Sequence, residues 1–495
     1  RVHLQHPWFH SNMASNSNTY SSKEVAKHNK EGDLWIIIQG KVYDLSSFAD
    51  LHPGGTIPLL DYAGKDATEI FFGLHRNSVL QDSRYARLQI GVLAGAPAIE
   101  SPVSAPYAES HNTWRIHSPY YNESHHRFRA AVREFMDREV TPFAARMDED
   151  GTGPTQELNM KMGQAGLLAI IGNAAQFLQD EGITLPGGIR SDEVDAFHEL
   201  IMAEEFKRIG TYGFSDGLSA GIGIGLPPIL KFANQQLLQR IVPDVVSGRK
   251  RICLAITEPY AGSDVSKVRT KAVLNAAGTH YVVTGVKKWI TGGVFADYFT
   301  TLCQTDKGMT MIVIPRDDSV STKKIKTSYS MAAGTAYVEF YNTVVGVENV
   351  VGQPGKGFSY TMANFNKERW LMIAGGNRLS RLMAEECFKW ANQRVVFGQK
   401  LIQQPVIRNK LAEMIAGVEV VHSMLEDITY QMTKLTEKEQ AKVLAGPVAL
   451  LKFKQTRVAT MISDNACQIF GGRALTRSGM GQFIEKFQRS FKMQA

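Results

Sequence analysis

Two stretches near the middle of the chain decide how the rest of the sequence is interpreted: LAITEPYAGSDVSKVRTKA at 254–272 and GVKKWITGG at 285–293. In the first stretch, Thr257 and Ser263 carry hydroxyls beside a proline and a glycine that favour turns. The residues that follow are rich in Val and Thr, which predicts that the turns lead into strands. Hydroxyls held at such turns suit hydrogen bonds to a flavin ring and its diphosphate.

The second stretch adds an aromatic residue. Trp289 and Thr291 stand two residues apart in a predicted strand, so we expect both side chains on one face. A large ring and a hydroxyl on that face would flank an isoalloxazine. Taken alone, each stretch is also compatible with a loop and an ordinary buried strand.

The pattern around these stretches has three parts. Apolar residues have helical spacing from about 117 to 250, and from about 356 onward they do so again in long segments. Between them, from about 251 to 350, short runs rich in Val, Ile, Thr and Tyr alternate with Gly, which predicts antiparallel strands. The order helix, sheet, helix predicts a sheet module carried between two helical domains.

TEPYAGSD and KKWITGG, at this spacing and in this layout, resemble the acyl-CoA dehydrogenase family over residues 117–495. The resemblance implies a homodimer or homotetramer, because the family's FAD sites each use two chains. It departs from the family at Pro405, where the family has a glutamine; Gln404 stands just before it. The residues that the resemblance implies for FAD are Thr257, Ser263, Trp289, Thr291, then Arg394 and Phe397 in RVVFG, and Gln468, Gly471 and Gly472 in NACQIFGG.

A smaller module precedes this region. His52 stands in a His-Pro-Gly-Gly turn, and His75 follows 23 residues later in an aromatic-rich helical segment. Two neutral imidazoles across an apolar pocket make an axial pair for haem iron. HPGG, AGKDAT and the second histidine resemble the cytochrome b5 haem-binding domain over residues 20–95, which implies haem b and single-electron transfer. The apolar wall predicted for the porphyrin consists of Leu51, Ile57, Leu60, Phe71, Phe72 and Leu74.

Glu368, in NFNKERW at 364–370, is the predicted catalytic base. At about 100° per residue it falls on the same helix face as Thr361, Gly375 and Leu379, opposite Lys367 and Arg381. A carboxylate on an apolar stripe is costly to bury unless something uses or pairs it. A minority of the family has its base at this position, and the resemblance also implies that Ser263, Phe365, Asn366 and Arg369 bind the acyl-CoA substrate.

Three alternatives to this base remain open. Glu368 could form a structural salt bridge to another helix. Many family members use a glutamate in a Glu-Gly-Thr loop, which we expect beyond Ala495 in an apparently truncated C-terminal domain. Glu386 lies on the same face, but about 27 Å further along a straight helix, so we expect it to be remote from the flavin.

Composition excludes several other classes. The net charge of +7 is modest for 495 residues, and the basic runs at 248–251 and 323–326 are short, so no nucleic-acid partner is expected. Four dispersed cysteines predict reduced thiols in an intracellular compartment. A cytoplasmic location is favoured, with mitochondrial or peroxisomal location left open, and no membrane span is expected.

The sequence therefore predicts a multidomain α+β protein. The predicted function is FAD-dependent introduction of an α,β double bond into an acyl-CoA, with electrons exchanged through the haem module and a separate acceptor or donor protein. Two rivals stand beside it: a flavin oxidase or monooxygenase acting on a non-thioester, and a non-catalytic nucleic-acid- or protein-binding relative. The expected parts are a disordered N-terminus (1–19), the haem module (20–95), a linker (96–116), an N-terminal helical domain (117–250), a β domain (251–355) and a C-terminal helical domain (356–495).

Overall fold

A computed structural model describes residues 18–76, 78–96, 105–110, 118–178 and 183–494 of the chain. These residues group into two compact units, one drawn from 1–105 and 389–404, the other from 106–388 and 405–495. Among the helices of the described residues, none is long and apolar enough to span a membrane. All four cysteines are free, and three of them are buried.

The first unit contains the strands β1 (Asn18–Tyr20), β2 (Asn29–Lys30), β3 (Asp33–Ile38), β4 (Lys41–Asp44) and β5 (Gln89–Leu93). They form one sheet in the order β1-β5-β4-β3-β2, in which β1 runs parallel to β5 and the other pairs are antiparallel. β3 and β4 are joined by Gln39 and Gly40, both with positive φ, as a two-residue hairpin turn requires. The first strand begins inside the segment predicted to be disordered, whose residues 1–17 lie outside the described part of the chain.

Alternation along β3 divides the core of this unit between the two faces of the sheet. Ile36 and Ile38 belong to one apolar cluster, whereas Ile37 joins Val25 and Val42 in another. The first cluster is closed by the helices that carry the histidine pair. The helices of the unit are α1 (Ser22–Val25), α2 (Ile57–Asp61), α3 (Thr68–Leu74), α4 (Ser78–Gln81) and α5 (Ser83–Ala86).

The second unit opens with helices, as the sequence predicts. The last of these helices lead into a β domain across a junction where glycines allow close approach. A Cβ on Gly221 would lie 2.4 Å from the carbonyl oxygen of Ile252, so helix and strand pack closely only because this position is glycine. The helices are α6 (Glu123–Glu139), α7 (Thr141–Asp150), α8 (Gln156–Gln164), α9 (Leu167–Ile171), α10 (Ala196–Arg208), α11 (Gly213–Gly225), α12 (Pro227–Phe232) and α13 (Gln235–Val246).

The β domain comprises β6 (Ile252–Ala255), β7 (Lys271–Leu274), β8 (His280–Ile290), β9 (Tyr298–Thr305), β10 (Gly308–Pro315), β11 (Val320–Lys324) and β12 (Ala336–Gly346). The sheet order is β10-β9-β7-β8-β12-β11, with β6 paired parallel to β9. Most pairs are antiparallel, as predicted, and a dry cluster around Phe299 and Phe340 fills the interior.

The C-terminal domain is helical. Its first helix is the 37-residue α14 (Gly357–Gln393), and the segments after it are a short hairpin, β13 (Val395–Val396) and β14 (Gln399–Lys400), then α15 (Pro405–Lys434), α16 (Glu437–Val443), α17 (Ala445–Phe470) and α18 (Gln482–Ser490). The helix-wheel picture of α14 is incomplete. Arg381, on the face opposite Glu368, is only 3% exposed, because its guanidinium is ion-paired to Glu419 on α15 and bonded to two backbone carbonyls. Neighbouring segments therefore cover both faces of this part of the helix.

One of those segments comes from the predicted linker. Residues 105–110 are anchored: Ala105 and Ser110 are buried, and Glu109 pairs with Arg133 at 2.9 Å. The carbonyls that Arg381 binds belong to Tyr107 and Glu109. The linker is thus held at this point, while its residues 97–104 and 111–117 lie outside the described part of the chain.

Candidate active site and haem centre

A buried ion pair shapes the loop that carries Thr257 and Ser263. Lys287 Nζ donates to Glu258 at 2.8 Å and to the carbonyls of Ile256 and Leu302 at 3.0 and 2.7 Å. Glu258 also accepts from the hydroxyl of Thr270 at 2.6 Å. Burial alone would raise the pKa of Glu258, but the Lys287 charge and these hydrogen bonds outweigh it and lower that pKa. The loop is therefore fixed by a fully bonded pair.

The same contacts bring the two signature stretches together. The backbone N–H of Lys288 donates to the Thr257 carbonyl at 2.8 Å, which places the Trp289 strand end beside the Thr257 loop. The predicted alternation of Trp289 and Thr291 on one strand is wrong. A register shift interrupts β8 opposite β12, Trp289 has φ +67°, and the strand ends at Ile290. Thr291 lies in the following turn.

The bulge turns Trp289 outward, so that this large aromatic residue is 52% exposed. A left-handed φ at a bulky non-glycine residue is uncommon and marks a position that its surroundings force. Ser263 is also exposed, and a Cβ added to the adjacent Gly262 would meet nothing within 4 Å. Trp289 and Ser263 are therefore both accessible, and Thr257 is partly accessible.

Glu368 lies in the first half of α14 and is partly buried. Burial raises its pKa from 4.5 to about 7, although a hydrogen bond from Asn364 and the charge of Arg369 act in the opposite direction. Asn364 Nδ2 donates to Glu368 Oε1 at 2.6 Å and to the Ile224 carbonyl at 3.0 Å. Among the described residues, the ion pairs found within 4 Å do not include Glu368. A carboxyl poised near neutrality is suited to act as a general base.

Apolar packing connects this carboxyl with the signature loop. Ile224 and Phe365 both pack on a small cluster that includes Ile256 and Ala261, which flank Thr257 and precede Ser263. Ile224 is also the residue whose carbonyl accepts from Asn364. The predicted base and two of the predicted flavin residues therefore belong to one region of the second unit.

The remaining predicted substrate residues lie on the same helix as the base. Arg369 Nη1 donates to Asn366 Oδ1 at 3.0 Å, which holds the guanidinium against its own helix. Both residues are partly accessible. Their predicted role in acyl-CoA binding stays a prediction.

The residues predicted to contact a second chain's cofactor are divided between the two units, and each group lies at an exposed tip of its own unit. In the first unit, Arg394 precedes the β13–β14 hairpin, whose turn carries Phe397 at φ +51° and 96% exposure. In the second unit, Gln468 is exposed near the end of α17, and Cβ atoms added to Gly471 or Gly472 would meet nothing within 4 Å. Their predicted contact with the FAD of a second chain stays a prediction.

These observations fit FAD. Trp289 and the hydroxyl of Thr257 can flank the flavin ring, and the open backbone at Gly262 and Ser263 can approach the diphosphate. Glu386, the competing carboxylate, is buried further along the helix. Sequence reasoning missed Asn364 and the Lys287–Glu258 pair. The adjacent lysines at 287–288 were a usable signal, because alternation directs one of them into the core.

The haem centre lies in the first unit. The rings of His52 and His75 face each other with centroids 5.9 Å apart, which leaves space for one metal ion. His52 Nδ1 contacts the Gly55 carbonyl at 2.8 Å, and His75 Nδ1 contacts the Phe71 carbonyl at 3.2 Å. Each Nδ1 is thereby engaged as a donor, which leaves each Nε2 as the ligand atom. Burial, with a smaller effect from the His52 charge, lowers the pKa of His75, so the neutral, ligating form is favoured.

The wall predicted around the histidines is only partly internal. Leu51 and Ile57 are 71% and 74% exposed, and Leu74 is also exposed. Leu60, Phe71 and Phe72 instead pack against the core of the unit. An exposed apolar patch around two engaged histidines fits a porphyrin, which would cover it.

A third cluster has the composition of a metal site. His125, Asp195 and His198 place their ligand atoms within 4.8 Å of one another. Asn122 and Asp195 are the N-caps of α6 and α10, and each histidine accepts the N-cap backbone N–H through its Nδ1. His125 Nε2 then donates to Asp195 at 2.9 Å. The cluster is accounted for as two reciprocal helix caps.

Fold and site define a flavoprotein oxidoreductase joined to a haem-binding module, and comparison with known proteins agrees. The acyl-CoA dehydrogenase N-terminal, middle and C-terminal domains match residues 122–249, 253–343 and 355–495, and the cytochrome b5-like heme/steroid binding domain matches 21–94. The chain is therefore a member of the acyl-CoA dehydrogenase family, an FAD-dependent enzyme fused to a haem-binding domain of the cytochrome b5 type.

Individual relatives support the assignment. The acyl-CoA dehydrogenase apdG of Emericella nidulans is 35% identical over 398 residues, covering 78% of this chain and 90% of that protein. The acyl-CoA dehydrogenase AFT10-1 of Alternaria alternata is 32% identical, covering 79% and 91%. The structure of an acyl-CoA dehydrogenase complexed with FAD from Bacillus anthracis is similar with a TM-score of 0.66 and 28% identity, covering 76% of this chain and 65% of that one.

Proposed function

We propose that this protein introduces an α,β double bond into an acyl-CoA thioester and passes the electrons singly through its own haem domain. The observation that carries the proposal is Glu368, a carboxyl whose pKa is raised to about 7 by burial. Its neighbours Ile224 and Phe365 pack on the apolar cluster beside the loop that carries Thr257 and Ser263. At neutral pH about half of such carboxyl groups are ionised and able to take a proton, which is the condition that suits a general base.

The chain's own residues divide the chemistry. Glu368 removes the proton alpha to the thioester carbonyl, and Asn364 orients its carboxylate through the 2.6 Å hydrogen bond. Bound FAD would supply the acceptor for the hydride that leaves the beta carbon. The alpha carbon loses a proton and the beta carbon a hydride, and the electron pair left at the alpha carbon forms the new double bond. Thr257, Ser263, Trp289 and Thr291 are the residues proposed to hold the flavin.

The haem domain supplies a one-electron step. His52 and His75 would hold the haem, and a haem held by two histidines would supply single-electron transfer. Two electrons from each turnover would leave one at a time, to an acceptor protein outside the chain.

We also propose a homodimer or homotetramer, since exposed Phe397 and the open glycines at 471–472 are the residues expected to complete FAD sites across chains. Intracellular placement, in the cytoplasm in preference to mitochondria or peroxisomes, likewise remains a proposal.

Rapid anaerobic mixing with a panel of acyl-CoAs tests the function. We expect the flavin absorbance to bleach first and the bands of reduced haem to rise afterwards. The rate of haem reduction should stay constant when the protein is diluted a hundredfold, because transfer within one assembly is first order.

Different failures have different meanings. Bleaching without any haem reduction would disprove the transfer step but leave the desaturation intact. Absence of bleaching with every acyl-CoA would disprove the desaturation. Fast reoxidation of the reduced flavin in air would favour the oxidase alternative.

A further inference from the structure

A second charged feature lies along the helix that carries the base. Lys207, at the end of α10, donates through Nζ to Asp216 Oδ1 at 2.6 Å and to Ser215 Oγ at 2.8 Å, both on α11. The side chains of Lys207 and Asp216 are 12% and 14% exposed, so this ion pair is largely removed from solvent without being sealed off. The mechanism above gives it no role.

The pair lies two helical turns from the base. A Cβ built on Gly375 would lie 3.2 Å from both Cε and Cγ of Lys207, so the lysine stem passes directly over this glycine of α14. Gly375 follows Glu368 by seven residues, about 10 Å along the helix axis. A side chain at Gly375 would require the lysine stem to shift by a few tenths of an ångström.

A second contact joins α14 to α11 near the base. Asn364 Nδ2 binds the Ile224 carbonyl at 3.0 Å, and Ile224 follows Asp216 by eight residues, about 12 Å along α11. α11 and α14 are therefore antiparallel neighbours, tied near the base at one end and near Lys207 at the other.

Between these two contacts, α11 and α14 each have partly accessible side chains that recur at helical spacing. Because the contacts at Asn364 and Gly375 of α14 and at Ile224 and Asp216 of α11 fix the facing sides of the two helices, these strips lie toward each other, and the space between them is called the cleft. Apart from Asp216 and Glu368, the residues of this strip are small or apolar. On α11 the strip comprises Asp216, Ser219, Ala220 and Ile224, and on α14 it comprises Phe365, Glu368 and Met372.

We propose that the Lys207–Asp216 pair closes the acyl end of this cleft and restricts the enzyme to short acyl groups. The inference rests on the proposed function, because it takes Glu368 as the point where the alpha carbon binds. An alkyl chain that extends past Gly375 would have to displace or desolvate a charged pair while offering it no hydrogen bond. Chain extension up to the pair gains apolar burial, and extension beyond it does not.

A neighbouring pair provides the matched control. Lys367 on α14 is ion-paired with Glu199 on α10, so it joins the same two helices as the Lys207–Gly375 contact, eight residues earlier along each. If Lys207 only ties helices together, then loss of either pair should have the same consequence. If it closes the cleft, only its loss should change chain-length preference.

Affinity is measured in the Glu368→Gln background, which cannot remove the alpha proton and so binds substrate without turnover. The dissociation constants of saturated acyl-CoAs from butanoyl to hexadecanoyl are read from perturbation of the flavin spectrum. We expect affinity to rise over the first members and then to fall. In the added double substitution Lys207→Met and Asp216→Leu, we expect dodecanoyl-CoA to bind at least tenfold more tightly, about 1.4 kcal/mol, while Glu199→Gln leaves the profile unchanged.

A second variant keeps the proposal testable if the double substitution does not fold, which flavin content would reveal. Asp216→Asn keeps the volume and leaves the Lys207 ammonium without its anion. We expect its affinity for an acyl group with a distal carboxylate to increase at least tenfold relative to a methyl-ended group of similar length. Affinity that keeps rising to hexadecanoyl-CoA in the Glu368→Gln parent, or equal profiles in the Lys207 and Glu199 variants, would overturn the proposal. Because these are binding measurements, that outcome is separate from a failure of flavin bleaching in the wild-type enzyme.

Discussion

In both the haem centre and the carboxyl site, burial favours the neutral form of a titratable side chain, although it shifts the two pKa values in opposite directions. Burial lowers the pKa of His75 and raises the pKa of Glu368, and in both cases the neutral form gains. The histidine must be neutral to bind iron, so the lowered pKa favours the form that acts as a ligand. Glu368 must lose a proton to act, so its shift makes the conjugate base strong enough to take a proton from carbon.

The supporting contacts of the two sites differ accordingly. His52 and His75 are each held by a backbone carbonyl, which fixes the ring nitrogen that faces the metal. Glu368 is held by the side chain of Asn364, whose amide also donates to the Ile224 carbonyl. The ligand pair therefore depends on backbone contacts, whereas the base depends on a second side chain that a substitution can remove.

Removal of one haem ligand should give the largest effect. We expect His75→Ala to lose essentially all haem from the purified protein, since a single remaining axial histidine and an exposed wall hold the porphyrin poorly. Flavin bleaching by acyl-CoA should persist at the wild-type rate, because the haem acts only after flavin reduction. The ratio of haem to flavin, read from absorbance, measures the outcome.

The control for this change lies in the same unit. His28 stacks on Trp35 at 3.6 Å and is bonded to Asp33, so His28→Gln alters a histidine that has no part in the metal pair. That variant should retain its haem. Equal haem loss in both variants would mean that the unit is merely unfolded by substitution.

The next largest effect concerns the base. We expect Glu368→Gln to slow flavin reduction by about 10²–10⁴-fold, the usual contribution of a positioned general base. In the wild type, the rate constant kcat/KM should rise with pH through a midpoint near 7, because only the ionised carboxyl accepts the proton. Rapid mixing across a pH series provides both values.

Glu386, the competing carboxylate further along the same helix, provides the control. Glu386→Gln should reduce flavin more slowly by no more than a few-fold, and the pH midpoint should stay near 7. If Glu386→Gln instead removed the reaction and Glu368→Gln did not, the assignment of the base would be wrong.

The sequence predicted the architecture well because its strongest signals are local. The HPGG turn and the change from helical to strand-like spacing near residue 251 each depend on neighbouring residues. Glu368 could also be identified locally, since the helical period alone places it on an apolar face.

The parts that could not be predicted depend on contacts between distant residues. The bulge that turns Trp289 outward is set by β12, and the burial of Arg381 is set by Glu419 and by the anchored segment 105–110. The floor of the proposed cleft joins Lys207 to Asp216 only because α10 and α11 fold back on each other. Periodicity within one helix cannot show what another segment places against it.

The smallest effect is a change in stability whose sign separates two buried glutamates. The folded-state pKa of Glu368 is raised from 4.5 to about 7, so the folded protein holds a proton that the unfolded chain releases. Its contribution is complete below about pH 4.5 and is lost as pH rises to about 7, which amounts to about 3 kcal/mol at 1.36 kcal/mol per unit. Glu368→Gln should therefore unfold at higher denaturant concentration than the wild type at pH 8, with little difference near pH 4.5.

Glu258 gives the opposite expectation, because its pairing with Lys287 lowers its pKa. Glu258→Gln leaves that lysine buried without its anion and should cost about 3–5 kcal/mol at pH 8. Urea titrations of the flavin-loaded proteins at the two pH values measure both changes. If Glu368→Gln were destabilising at pH 8 by a similar amount, its carboxylate would be a structural ion-pair partner like Glu258, and its role as the base would have to be abandoned.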